Sequence, residues 1–424
     1  METEMLLELA TRPDGSVSRR RFLEITGAGL AATGWLSAIG VHADDLKKRN
    51  AACILVWLGG GPSQFETWDP KPGTENGGKT KAIATAVSGI KIAEHWPKVA
   101  EVMKDAALIR SLTSKEGNHE RATYQLHTGR APSGAIKHPN IGSVVAQELG
   151  APAAELPNFV SVGETVGPGF LGVSAAPFVV NNPGELPANV AMTVASQRMT
   201  RRLALLKEQD ADFAKIGAGE ISAGHQGLYD QAARMVMSPK LKSFDLKNES
   251  DKMRDAYGRN SFGQGLLMAR RLVESGVPFI EVRKGGWDTH EGVFERVPRL
   301  AGEVDLGLAQ LIRDLKSRGM LDRTLVVCMG EFGRTPKVNN KAGRDHYPKA
   351  FSALVAGCGI KGGRSIGKTN DNGTEVADRP VSVPDLFQTF CKALAMNPAS
   401  EMVTPQGRPI KTVDEGKPVN ELFS

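Results

Sequence analysis

The chain has 424 residues and a formal charge of +6, a length that holds one large α/β domain or two ordinary ones. The positive excess is spread along the sequence without interleaved aromatics, which argues against a nucleic-acid groove and for a solvated surface. Its four cysteines, Cys53, Cys328, Cys358 and Cys391, form no CxxC pair, and three of them lie in apolar runs. They read as small buried hydrophobes rather than as ligands or disulfide partners.

The first element is an export signal. Ser18, Arg19, Arg20, Arg21, Phe22 and Leu23 form a twin-arginine pattern, and the stretch Ile25 to Val41 that follows is moderately apolar. It is diluted by Gly27, Gly29, Gly34 and Gly40, and Val41, His42 and Ala43 supply a small-residue cleavage site. Residues 1–43 are therefore expected to be a signal peptide and 44–424 the exported domain, periplasmic or secreted. A buried helix and an uncleaved anchor are the alternatives. The run is short for a span of about 20 apolar residues, which favours cleavage and limits membrane contact to the signal. Twin-arginine export carries folded proteins, often already loaded with a cofactor, so a metal is worth seeking.

Ala52–Leu58 is a continuous apolar run ending in Gly59, Gly60 and Gly61, as in a buried parallel strand that opens into a loop. A second run, Ala106–Leu112, leads to a helix expected from about Asn118 to His127. Further strands are expected at Asn158–Val162, Val277–Val282, Thr324–Met329 and Phe351–Val355. A helix is expected over 298–317, where Leu300, Val304, Leu308, Leu311 and Leu315 share a face. Strands alternating with helices predict an α/β fold, a mostly parallel central sheet with helices on both faces. Residues of about 185–262 are charged and poor in strand signal; they read as a helical insertion, with one helix over Arg198–Lys215.

In such a sheet ligands bind at the carboxyl ends of the strands, and the polar motifs fall there. His119 opens a helix whose N-terminus favours an anion, so it faces either an oxyanion or a metal; Thr123 and His127 share its face. Asp288 and His290, after a strand and a glycine pair, offer one oxygen and one imidazole ligand. Glu331 follows another strand as a carboxylate ligand or general acid/base, and Arg334 is placed to grip an anionic oxygen. Arg344, Asp345 and His346 repeat the arginine–carboxylate–imidazole theme. His95 and His138 read as ordinary surface histidines. The ligand types suit a divalent metal (Zn, Mn, Ca or Mg), and the arginines suit a phosphate or sulfate ester.

Taken together, these motifs resemble the twin-arginine-exported "domain of unknown function 1501" family. Those that carry the likeness are Gly59 to Gln64, Trp68 to Pro72, Gly285 to His290, Gly330 to Pro336 and Gly343 to Pro348. That family is in turn similar to sulfatases and the alkaline phosphatase superfamily. Leu126 to Arg130 looks like the helix after the sulfatase nucleophile, and Asp322 to Gly333, Phe351 to Gly363 and Val383 to Phe390 resemble later sulfatase segments. The resemblance puts His119 at the nucleophile position and Asp288, His290 and His346 at metal-binding positions. Glu331 and Phe332 stand where the relatives have an Asp-His pair. The carboxylate of the first strand is replaced by Gly59 to Gly61, with Ser63, Glu66 and Asp69 just beyond.

The reading that follows is an exported metal-dependent hydrolase or transferase acting on a small-molecule or glycan ester of sulfate or phosphate. Asp288, His290, His346 and Glu331 are its metal ligands, and His119 and Glu331 its catalytic groups. Arg334, Arg344 and Ser63 are expected to bind the substrate. The rival is a non-catalytic exported protein that uses the same scaffold to bind a glycan or a protein.

Overall fold

Strand β1, Ala52–Leu58, is buried along its whole length, which explains why its sequence does not alternate. Ile54, Val56 and Leu58 enter one apolar core, and Cys53, Leu55 and Trp57 enter a second on the opposite face. A computed structural model describes residues 51–424 except 133, 135, 188–189, 191–193, 214 and 216–218. The segment 1–43, expected from its sequence to be an export signal, lies outside the described residues. Among them, no helix is long and apolar enough to cross a membrane.

The remaining sheet strands are β2 (Ala106–Thr113), β3 (Phe159–Val162), β4 (Phe178–Val180), β5 (Phe279–Lys284), β6 (Thr324–Met329), β7 (Phe351–Ala356), β8 (Arg364–Ile366) and β9 (Val381–Ser382). Their order across the sheet is β8-β2-β7-β6-β1-β5-β3-β4, with β9 also paired to β2. Strand β7 runs antiparallel to both its neighbours, β2 and β6. Every other pairing in this sheet is parallel. The fold is therefore α/β with a mostly parallel sheet. Its longer helices are α1 (His119–Thr128), α2 (Ile141–Leu149), α3 (Ser196–Phe213), α4 (Gly219–Met237), α5 (Ser261–Glu274), α6 (Val293–Ser317) and α7 (Val383–Ala393), and two short ones span Pro97–Val102 and Asp251–Tyr257. Leu126 of α1, Val145 of α2 and Phe387 of α7 enter the core that holds Trp57, whereas Leu267 of α5 and Leu308 of α6 enter the core that holds Val56.

Helix α6 begins at Val293, more than a turn before the start read from periodicity, and carries Pro298 inside it. Proline marks a helix start well in a sequence, but here the first turn forms ahead of it, so one interior hydrogen bond is missing. Between β4 and α5 the described residues hold helices and short 3-10 turns and no strand. All four cysteines are buried, and none of them forms a disulfide.

Candidate functional site

The loops after β1, β5 and β6 leave the same edge of the sheet and are pressed together there. Gly59 N–H donates to the Lys284 carbonyl (2.9 Å), and Trp287 N–H donates to the Gly59 carbonyl (3.2 Å). Gly60 has φ of 113°, and a Cβ there would lie 2.5 Å from the Asp288 backbone nitrogen. A Cβ on Gly61 would strike the Phe332 ring at 2.6 Å. These glycines are thus required for close approach as well as for conformation. The carboxamide of Gln64 brackets the third loop, accepting from Arg334 N–H (2.9 Å) and donating to the Arg334 carbonyl (2.9 Å). His346 lies on a two-residue strand paired with Gly333–Arg334. Helix α1 brings His119 to the same place, its start capped by Asn118, which accepts from Arg121 N–H.

Three imidazoles converge on one carboxylate oxygen. Asp288 Oδ1 is 3.4 Å from His119 Nε2, 3.1 Å from His290 Nε2 and 3.4 Å from His346 Nε2. The Nε2 atoms of His290 and His346 are 2.9 Å apart. Ligand atoms of His119, Asp288 and His346 all lie within 4.8 Å of one another, a spacing compatible with one metal ion.

The other ring nitrogens are each engaged. His119 Nδ1 is 2.7 Å from Glu331 Oε1, His290 Nδ1 is 2.7 Å from Asp345 Oδ1, and His346 Nδ1 is 2.8 Å from the Gly117 carbonyl. An acceptor at each Nδ1 assigns the proton of the neutral ring to that nitrogen. The three Nε2 lone pairs are then directed into a common space. Lone pairs 2.9 Å apart repel unless a proton or a cation lies between them.

Electrostatics favour a charged centre. Burial works against ionisation of Asp288, but the hydrogen bond from Arg334 (2.5 Å) and the charges around it outweigh that and hold its carboxyl at about 2. The hydrogen bond to Glu331 raises His119 above the usual imidazole range. Burial lowers His346, assisted by the Arg334 charge. Asp345 is held below the usual carboxylate range, first by its bond to His290.

The structure thus brings together Asp288, His290, His346 and His119, with Glu331 one bond away. Glu331 Oε1 is engaged by His119 and by the Gly60 N–H (2.9 Å), while its buried Oε2 has no hydrogen-bond partner. The expectation for Arg344 is corrected. It is fully buried, and all five of its N–H groups are engaged by the Glu66 carboxylate and by the carbonyls of Thr335, Pro336 and Asn76. No donor is left for an ester. Arg334 is also fully buried; its donors reach the carbonyls of Gly60, Gly61 and Arg344 and the Asp288 carboxylate. It anchors Asp288 instead of facing solvent. Ser63 is buried too, and its hydroxyl has no hydrogen-bond partner among the described residues.

His127, on the face shared with His119 in the sequence, turns into the core. Its Nε2 is 3.1 Å from Glu281 Oε1 and its Nδ1 is 2.8 Å from the Thr123 carbonyl. His138 is buried rather than on the surface. Sequence reasoning missed Gln64, the Gly117 carbonyl and the Phe332 ring, which packs 4.6 Å from His346 and 4.9 Å from His119 between centroids. The bracing role of Asp345 was signalled only by its place beside His346.

The sequence model of the family described as "Protein of unknown function (DUF1501)" matches residues 50–423. The chain belongs to this family. No curated protein matches this DUF1501 chain. Among solved structures, it is similar to the PsFucS1 sulfatase from Pseudoalteromonas sp., at 12% identity over 84% of this chain and 70% of that chain, with a TM-score of 0.40. A phosphonate monoester hydrolase from Silicibacter pomeroyi is similar at 11% identity over 88% and 76%, with a TM-score of 0.38. An alkaline phosphatase superfamily protein from Vibrio parahaemolyticus is similar at 12% identity over 82% and 66%, with a TM-score of 0.37.

Proposed function

We propose that this DUF1501 protein is an exported metal-dependent hydrolase or transferase of sulfate or phosphate esters. Its metal would be held by His119, Asp288, His290 and His346. The observation that carries the reading is the convergence of three Nε2 atoms on Asp288 Oδ1, each ring braced at Nδ1 by an acceptor. Imidazoles with carboxylate or carbonyl partners behind them are the usual construction of a transition-metal site. Three nitrogens and one oxygen suit Zn²⁺ or a similar borderline ion, whereas Ca²⁺ and Mg²⁺ favour oxygen-rich shells.

His119 is then a ligand and not a nucleophile, and Glu331 orients it. When bound, such an ion polarises an ester oxygen and makes water a better nucleophile. The chain's own groups prepare that setting. Arg334 keeps Asp288 ionised, and Asp345 and the Gly117 carbonyl fix the ring orientations of His290 and His346. Glu331 Oε2 is buried and has no hydrogen-bond partner among the described residues. Residues 1–43 would deliver the protein through the twin-arginine route with its metal in place.

One observation favours the binding-only rival. Arg344 has no free donor and Arg334 is buried against Asp288, so neither offers an ester a ready grip. Assay of aryl sulfate and phosphate esters with the purified, metal-quantified protein decides between the two. Turnover that disappears in His290→Ala supports the enzyme. Stoichiometric metal with no turnover on any ester, together with glycan binding, supports the rival.

The bracing carboxylates supply a finer prediction. Asp345→Asn weakens the orientation of His290 without touching a ligand atom, and is expected to lower metal affinity by about 10–100-fold. Competition with a chromogenic chelator measures it. Unchanged affinity would remove Asp345 from the site.

A further inference from the structure

Helix α3 (Ser196–Phe213) carries two stripes of different character. Met199, Leu203, Leu206 and Asp210 are half-buried, at the three- and four-residue spacing of a packed seam. The element that α3 packs against is α4. A second stripe consists of Arg198, Arg201, Arg202, Leu205, Glu208, Gln209 and Asp212, all exposed. At 3.6 residues per turn these seven point within about 60° of the Leu205 direction. Leu205 is 61% exposed at the middle of the stripe.

The charges on this stripe are segregated. The three before Leu205 are basic and the two after it are acidic. Arg198 and Asp212 are equidistant from Leu205, as are Arg202 and Glu208. A helix with this symmetry of opposites is complementary to its own reverse. We propose that α3 pairs with α3 of a second copy of this chain, antiparallel about a twofold axis that passes at Leu205. In that arrangement Arg198 faces the second copy's Asp212 and Arg202 faces the second copy's Glu208. Each pair occurs twice by symmetry. The two Leu205 side chains meet at the axis and lose their exposure to water. Parallel pairing is disfavoured because it sets Arg202 against Arg202 and Glu208 against Glu208. Asp212 also has Lys215 at 2.8 Å. Both are 76% exposed, so that contact is easily exchanged for a new one.

The inference is independent of the metal reading, and its test uses the intact protein in a sedimentation-velocity concentration series. The wild type is expected to dimerise reversibly and less tightly at high salt. Arg202→Glu alone and Glu208→Arg alone each set like charges opposite one another twice, and should raise the dimer dissociation constant by at least about tenfold. The double variant Arg202→Glu with Glu208→Arg exchanges the signs and should restore dimerisation. A wild type that stays monomeric overturns the proposal. So do single variants that dimerise as the wild type does, or a double variant that fails to recover. Rescue by the double variant also excludes misfolding as the cause of the single-variant losses.

Discussion

Asp288→Ala is expected to strip the protein of its metal and destabilise it together. The carboxylate is where the three Nε2 atoms meet, a charged oxygen shared by all three. Its loss should exceed the roughly 10–100-fold in affinity that removing an outer partner costs. It also leaves the fully buried Arg334 guanidinium without its anionic partner. Breaking a fully buried pair costs about 3–5 kcal/mol; here the Asp288 side chain is 46% exposed, so about 1–3 kcal/mol is expected. Asp288→Asn separates the two effects. The amide keeps an oxygen for the Arg334 N–H, so more of the stability survives while the metal is still lost. Metal analysis after gel filtration and denaturant titration measure the pair of outcomes. Full metal content in Asp288→Ala would place the centre elsewhere.

The second large effect lies beneath the site. Glu66 and Arg344 are both fully buried, and the carboxylate accepts from the guanidinium at 2.9 and 3.1 Å and from Thr80 Oγ1 at 3.2 Å. The Arg344 guanidinium also lies over the Phe65 ring at 4.3 Å. Glu66→Gln leaves the cation buried without a counter-charge, which costs about 3–5 kcal/mol. That is a large share of the roughly 5–15 kcal/mol that holds a domain folded. The urea midpoint should fall sharply with an unchanged slope. A wild-type midpoint combined with weakened ester binding would return Arg344 to the substrate role that the sequence suggested for it.

That contrast marks what a sequence can carry. The apolar runs of β1 and β6 gave their positions residue for residue, because strands buried on both faces leave no ambiguity of period. Nothing in the composition of Phe351–Ala356 reveals that it runs against its neighbours, since strand direction is set by the connections around it. Asp288, His290 and His346 could be singled out because imidazoles and carboxylates after strand ends have few structural uses, and the fold brings the three together. Arg344 was misread for a related reason. An arginine beside a histidine looks like a ligand grip, and only the folded chain reveals three carbonyls and a carboxylate closing around it. His119 was placed correctly at the start of α1, yet its role depended on where Glu331 and Asp288 lie, and that is tertiary information.

The central claim is a nitrogen-rich metal centre, and X-ray absorption at the metal edge of the purified protein tests it most directly. The account predicts a four-coordinate nitrogen/oxygen shell at about 2.0–2.2 Å, with the outer-shell scattering of several imidazoles. Asp288→Ala should abolish that signal. Protein that takes up no divalent ion, or an oxygen-only shell without imidazole scattering, would contradict it.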